Sequence, residues 1–177
     1  MTEAAGTRGG PVVVLVGPPG AGKSTVAALL AGRLGLAVRD TDDDIEDTTG
    51  TRIAELFIDH GEAQFRQLER TAVVRALAEH DGVLALGGGA VMDAETEADL
   101  AGHVVVFLDV GLPDAARRIG FNASRPLLIG NPRAQWIRLM DARRPVYERI
   151  STFAIATDGL APEKVADAVE TYLEGVS

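Results

Sequence analysis

The sequence predicts an α/β fold in three layers, a five-stranded parallel sheet with helices on both faces. Two observations carry that expectation. An apolar run, a glycine-rich turn and a helical pattern follow one another without interruption from residue 12, and thereafter short apolar runs alternate with longer segments of helical period. At 177 residues the chain suits one domain, placed at residues 12–177, and would bury about 70% of the surface its unfolded form exposes.

Residues 12–16 read VVVLV, four of the five β-branched, as a buried strand requires. GPPGAGKST follows, in which Gly17, Gly22, Lys23 and Ser24 satisfy G-x-x-x-x-G-K-[ST]. A backbone bare of side chains can curl with its N–H groups inward, caging phosphate oxygens at the positive end of the helix that begins there. The candidate phosphate-binding residues are Gly20, Ala21, Gly22, Lys23, Ser24 and Thr25. Lys23 would reach the β- and γ-phosphates, and the Ser24 hydroxyl the magnesium ion that a nucleoside triphosphate brings. A simple glycine turn is the competing reading, and it requires neither the lysine nor the hydroxyl.

Val26, Leu29, Leu30 and Leu34 recur at helical spacing, and Gly35 supplies a left-handed stop. Residues 36–38 form a short second strand ending in the acidic cluster RDTDDD. Residues 45–48 allow one helical turn, and Thr51 can cap a segment carrying Ile53, Leu56 and Phe57 as far as Gly61. Residues 62–80 form a long amphipathic helix with Phe65, Leu68, Ala72, Val73, Ala76 and Leu77 on one face, and Glu62, Arg66 and Glu69 together on another. The third strand, 82–86, runs into Gly87, Gly88 and Gly89, where missing side chains let backbone amides approach a ligand.

Asp93 can cap a helix through Leu100, and 104–108 is a continuous apolar strand of the doubly buried kind. Pro113 opens a helix that runs out at Gly120. Residues 121–132 lack periodicity and read as a mobile flap bearing Arg125. Helical character returns at 134–143, Pro145 interrupts it, 153–156 is the fifth strand, and 162–173 closes with a helix. Trp136, the sole tryptophan, lies between the flap and Arg143, with core packing as its ordinary role.

The net charge of −9 would repel a nucleic acid backbone, so an anionic ligand must be held by a local basic cluster. The absence of cysteine fits a reducing cytoplasm. Residues 1–11 are small and polar, lack the apolar run of a signal peptide, and read as a flexible tail. No stretch approaches the roughly 20 apolar residues that span a bilayer. With no heptad run or long edge pattern, a monomer is the default. An Asn-Lys-x-Asp segment, expected of a guanine-nucleotide switch, does not occur.

GPPGAGKST, DTDDDIE, FRQLE, LGGGAV, RPLL and RRPVY stand in that order, and together they resemble the shikimate kinase family from residue 12 to the last helix. The resemblance implies a P-loop kinase fold with a small helical acceptor-binding insertion at about residues 41–70 and a mobile lid at about residues 120–133. It implies transfer of the ATP γ-phosphoryl group to the 3-hydroxyl of shikimate, giving shikimate 3-phosphate and ADP, with Mg2+.

By the same resemblance, Lys23, Asp42 and Arg125 are catalytic. Asp40 matches the family's first aspartate and lies toward the magnesium, acting through its bound water, with Ser24 as the other metal residue. Asp42 matches the second, which accepts hydrogen bonds from shikimate and orients or deprotonates the attacking hydroxyl. Arg66 resembles the arginine that holds the acceptor carboxylate, with Glu69 fixing its guanidinium. Arg143 resembles a second such arginine, the adjacent Arg144 being the alternative. Gly88 and Gly89 meet shikimate, Arg125 is the lid arginine, and Arg118 packs over adenine. The VVVFLD run imitates a Walker B strand, but the family keeps magnesium near the DTD turn, so Asp109 is expected to end a strand at the surface. Where the family often offers a polar or basic side chain near the adenine, the loop at 157–162 reads TDGLAP, so base recognition is expected to rest on backbone groups. Gluconate kinase shares the phosphate loop, but the DTD turn, the triple glycine and Arg66 favour shikimate. A nucleotide-binding module without turnover is opposed by the joint presence of Lys23, Asp42, Arg66 and Arg125.

Overall fold

A computed structural model of the chain describes residues 9–120 and 130–176. Five parallel strands, β1 (Val13–Val16), β2 (Val38–Asp40), β3 (Val83–Ala85), β4 (Val105–Asp109) and β5 (Phe153–Ala156), form one sheet in the order β2-β3-β1-β4-β5. Every residue of β1 and β3 is buried, so both faces of the central sheet are covered, whereas the edge strands β2 and β5 are only partly covered. The helices are α1 (Lys23–Leu34), α2 (Thr41–Thr49), α3 (Ile53–Glu79), α4 (Ala94–Leu100), α5 (Leu112–Ile119), α6 (Pro132–Ile150) and α7 (Pro162–Val176), and a 3-10 turn spans Ala90–Met92.

Because all strands are parallel, their carboxyl ends lie along one edge of the sheet. The chain leaves β1 toward β2, returns to β3, then passes across β1 to β4, so the direction of winding reverses beside β1. That reversal opens a crevice at the carboxyl ends, the usual ligand position in such sheets. The glycine-rich turn after β1, the start of α2, the glycine triplet after β3 and the turn after β5 all converge there.

Several boundaries differ from the sequence expectation. The second strand is displaced from 36–38 to Val38–Asp40, and the helical turn expected at 45–48 is the whole of α2. The acidic cluster builds that helix: Asp40 caps it by accepting from the Asp42 N–H, and Asp42, Asp43 and Asp44 oppose the positive end of its dipole. Asp44 is engaged, accepting from Arg39 at 2.6 Å. Thr51 does not cap the next helix, since the N-cap is Arg52, and the Thr51 hydroxyl donates to the Thr49 carbonyl. The segments expected on either side of Gly61 join as α3, with Gly61 at φ 81°, ψ 169° breaking the helix between them. Pro145 does not end α6, which starts at Pro132 and continues to Ile150. The third strand is shorter than 82–86, with Gly82 and Leu86 flanking it.

A second apolar cluster of Ile45, Leu56, Phe65 and Ala72 joins α2 to α3, with the Phe57 and Phe65 rings 4.5 Å apart. These two helices stand on their own core beside the sheet edge. Among the described residues no helix is long and apolar enough to cross a membrane.

The edge pairing requires glycine at 82. The Val83 N–H donates to the Ala37 carbonyl at 2.9 Å, and a β-carbon on Gly82 would overlap that same oxygen. Gly82→Ala is predicted to lower stability by about 1–3 kcal/mol in urea denaturation. Unchanged stability would contradict the β2–β3 register.

Candidate active site

The turn after β1 holds its shape through its own residues. Gly20 and Gly22 adopt φ of 87° and 89°, and a β-carbon on Gly20 would lie 2.9 Å from the Ala115 Cα, so neither conformation nor space admits a side chain there. Lys23 Nζ donates to the carbonyls of Gly17 (2.6 Å) and Pro18 (3.2 Å). Ser24 Oγ donates to Asp40 Oδ2 at 3.2 Å, while Asp40 Oδ1 accepts from the Asp42 N–H at 2.8 Å. One aspartate thus ties α1 to α2 across the mouth of the cleft.

Among the described residues, no group of three or more His, Cys, Asp or Glu could hold a metal ion. A hydroxyl and one carboxylate, both oxygen donors, suit a hard ion that takes its other ligands from phosphates and water, as Mg2+ does.

The cleft has a volume of about 460 Å³ and runs from Asp40 and Asp42 past Lys23 to Arg118, Leu160 and Pro162. At its far end Arg118 donates to the Gly20 carbonyl (3.1 Å) and to the hydroxyl and carbonyl of Thr157 (3.0 and 2.8 Å). The Thr157 hydroxyl donates onward to the Asp109 carbonyl at 2.8 Å. Asp158 and Asp114 accept from the N–H groups of Gly111 and Gly159, clamping the turn after β5 to the start of α5. Apart from Thr157, the part of this turn that lines the cleft is Leu160 and Pro162.

Beside Asp42, the three glycines after β3 each leave space filled by a charged side chain. A β-carbon on Gly87 would lie 2.6 Å from Asp42 Oδ1 and 3.0 Å from Glu69 Oε2. One on Gly88 would lie 3.0 Å from Arg143 Nη1, and one on Gly89 2.5 Å from Arg66 Nη1. Asp42, Arg66, Glu69 and Arg143, drawn from α2, α3 and α6, therefore meet on one strip of bare backbone. Thr41 and Tyr147 fix that strip, the first accepting from the Gly87 N–H at 3.1 Å and the second donating to the Gly88 carbonyl at 2.5 Å.

Arg66 Nη1 donates to Glu69 Oε1 at 2.7 Å, with Glu62 3.4 Å from Nη2. Glu69 is 3% exposed, and burial raises its pKa above the ordinary glutamate value against the opposing pull of Arg66 and Arg143. Burial likewise pushes the Tyr147 hydroxyl up to about 12, with Arg143 opposing, so it remains a donor. Arg143 is 4% exposed, whereas the neighbouring Arg144 turns away and donates to Asp109 Oδ2 at 2.6 Å. It is Arg143 that stands at the glycine strip.

A family model described as shikimate kinase matches residues 19–174. The chain belongs to the shikimate kinase family. The shikimate kinase of Streptomyces avermitilis is 59% identical over 164 residues, spanning 93% of this chain and 96% of that protein. The solved structure of a shikimate kinase from Acinetobacter baumannii in complex with shikimate aligns with a TM-score of 0.90 at 32% identity, covering 95% of this chain and 94% of that one. That of the shikimate kinase from Bacteroides thetaiotaomicron aligns at 0.82 with 28% identity, covering 92% and 97%.

For this shikimate kinase family member, Gly20 to Thr25, Asp40, Asp42 and Arg118 line the cleft. Gly88 and Arg143 lie on the glycine strip beside Asp42, and Arg66 and Gly89 line a second hollow of about 270 Å³ there. Arg125, most of the segment expected as a lid, and the first eight residues lie outside the described residues. Asp109 ends β4, held by Arg144. Reading the sequence passed over Thr41, Tyr147 and Thr157. Thr41 sits inside the DTD turn and Tyr147 one helical turn after Arg143, so their spacing to motif residues was the available signal.

A raised carboxyl pKa has a definite sign for stability. The folded chain holds the Glu69 proton more tightly than the unfolded chain, so this group favours folding below the ordinary glutamate pKa of about 4.3 and loses that contribution as pH rises through its raised folded value. Glu69→Gln is predicted to gain melting temperature relative to the unaltered chain between pH 4 and pH 7. A relative loss over that interval would show that pairing with Arg66 outweighs burial.

Proposed function

We propose that this chain transfers the γ-phosphoryl group of ATP to the 3-hydroxyl of shikimate, giving shikimate 3-phosphate and ADP. The observation that carries the proposal is the meeting of Asp42, Arg66 and Arg143 on the glycine strip, next to a phosphate loop whose lysine lines the same cleft as Asp42. Shikimate combines one carboxylate with neighbouring hydroxyls, and this site offers two guanidiniums and one carboxylate. The Acinetobacter baumannii relative in complex with shikimate supports the same acceptor.

In this reading Arg66 and Arg143 hold the acceptor's carboxylate by charge-assisted hydrogen bonds, with Glu69 keeping Arg66 in place. Gly88 and Gly89 let the ring approach the backbone. Asp42 accepts the proton of the 3-hydroxyl as its oxygen bonds to the γ-phosphorus, and the bond to the β-phosphate oxygen breaks with its electron pair leaving on ADP. Lys23 and the amides of residues 20–25 hold the phosphates, and Arg125 supplies further positive charge to the transferring group. Ser24 and, through water, Asp40 would hold Mg2+, which neutralises phosphate charge when bound. Arg118, with the apolar wall of Leu160 and Pro162, receives the adenine.

The helices between residues 41 and 70 form the acceptor-binding segment of a single domain running from residue 12. Residues 120–133 act as the lid. The protein works as a monomer in the cytoplasm, on small molecules and without nucleic acid or membrane.

A coupled ADP-release assay with shikimate, quinate and gluconate tests this directly. Shikimate-dependent release is expected, and Asp42→Asn should lower its kcat by about 10²- to 10⁴-fold with ATP affinity nearly unchanged. Turnover with gluconate but not shikimate would overturn the assignment, and equal loss of turnover and ATP affinity in Asp42→Asn would overturn the role of Asp42.

A further inference from the structure

Four successive carbonyls of the phosphate loop are taken by side-chain donors. Lys23 takes those of Gly17 and Pro18, Trp136 Nε1 donates to the carbonyl of Pro19 at 3.1 Å, and Arg118 takes that of Gly20. Lys23 and Arg118 belong to the nucleotide site already described, whereas Trp136 comes from the second turn of α6 and is 4% exposed. A buried ring needed only for packing could be phenylalanine. The indole brings in addition a polar N–H, and that N–H ends on the phosphate loop.

Pro18 and Pro19 carry no N–H, so after Gly17 the first amide donor available to the loop is that of Gly20. Its direction is not independent of the Pro19 carbonyl. In a trans peptide the C=O and the following N–H point to opposite sides, and the described residues contain no cis peptide bond. Whatever holds the Pro19 oxygen toward α6 therefore aims the Gly20 N–H the other way. Gly20 lines the same cleft as Lys23.

We propose that Trp136 is a positioning residue for the nucleotide phosphates, its indole N–H fixing the Pro19–Gly20 peptide so that the first amide of the loop faces the cleft. The inference rests on the proposed use of ATP but not on the identity of the acceptor. Trp136 does not touch substrate. It acts through one peptide plane, so its loss should fall on nucleotide binding and spare the acceptor.

Trp136→Phe keeps the ring and deletes the donor. Its melting temperature should fall by no more than about 4 °C. Its KM for ATP and its Kd for ADP should rise about three- to tenfold, with the KM for shikimate within about twofold. Unchanged nucleotide constants, or equal rises for both substrates, would overturn the proposal. Should the variant not fold, the unaltered chain decides. It has one tryptophan, hence one indole N–H resonance when labelled with 15N, and that resonance should move saturably on addition of ADP with magnesium. A resonance indifferent to ADP would overturn the proposal. The titration needs no acceptor, so absence of shikimate turnover in the unaltered chain would count against the acceptor and leave the test of Trp136 intact.

Discussion

The site depends on three adjacent positions without a β-carbon. Where β3 leaves the sheet, Gly87, Gly88 and Gly89 run as bare backbone, and the space that their side chains would occupy is filled by Asp42, Glu69, Arg143 and Arg66. These charged groups come from three helices, α2 and α3 consecutive in the chain and α6 remote from both. They converge because nothing on the strand keeps them apart. Flexible glycines alone would not make a rigid floor, and here Thr41 and Tyr147 bind the Gly87 N–H and Gly88 carbonyl directly. The same backbone is therefore both vacated and fastened. A small planar acid meeting it would find guanidiniums, a carboxylate and backbone within one short span.

The phosphate end follows a complementary logic. There the backbone supplies the binding groups, and side chains are spent on turning its carbonyls away. Lys23, Trp136 and Arg118 between them hold the oxygens of Gly17 through Gly20. Asp40 joins the two ends, capping α2 with one oxygen and receiving Ser24 with the other, so the residue that starts α2 also holds the helix that follows the glycine-rich turn. A shift of α2 relative to α1 must break one of those two bonds. This mechanical link suits a reaction in which little covalent chemistry is asked of the protein and alignment supplies most of the rate.

Much of this was legible in the sequence because the functional residues sit in short motifs at strand ends. The order of strands and helices could be read from apolar runs, and the phosphate loop from its spacing. The misjudged elements share a physical cause. Apolar periodicity shows only one turn of α2, at 45–48, because the helix is stabilised by first-turn carboxylates against the dipole, a local effect that apolar periodicity does not register. Pro145 looked like a stop because its cost to a helix is intrinsic, whereas α6 is held on both sides of it by buried Trp136, Met140, Arg143 and Tyr147. The choice between Arg143 and Arg144 needed the angle of α6, which directs one to the glycine strip and the other to Asp109. Tertiary hydrogen bonds, such as that of Trp136 to Pro19 across 117 positions, leave no mark on spacing.

The most direct measurement replaces one of the three glycines and follows both ligands. In Gly89→Ala the added methyl would sit 2.5 Å from the Arg66 guanidinium, and its nearest neighbours are Arg66 atoms rather than atoms of the phosphate loop. Isothermal titration should show shikimate affinity falling by about tenfold or more, the loss of one charge-assisted contact, while ADP affinity stays within about twofold. Shikimate affinity unchanged by that methyl would contradict the glycine strip as the floor of the acceptor site.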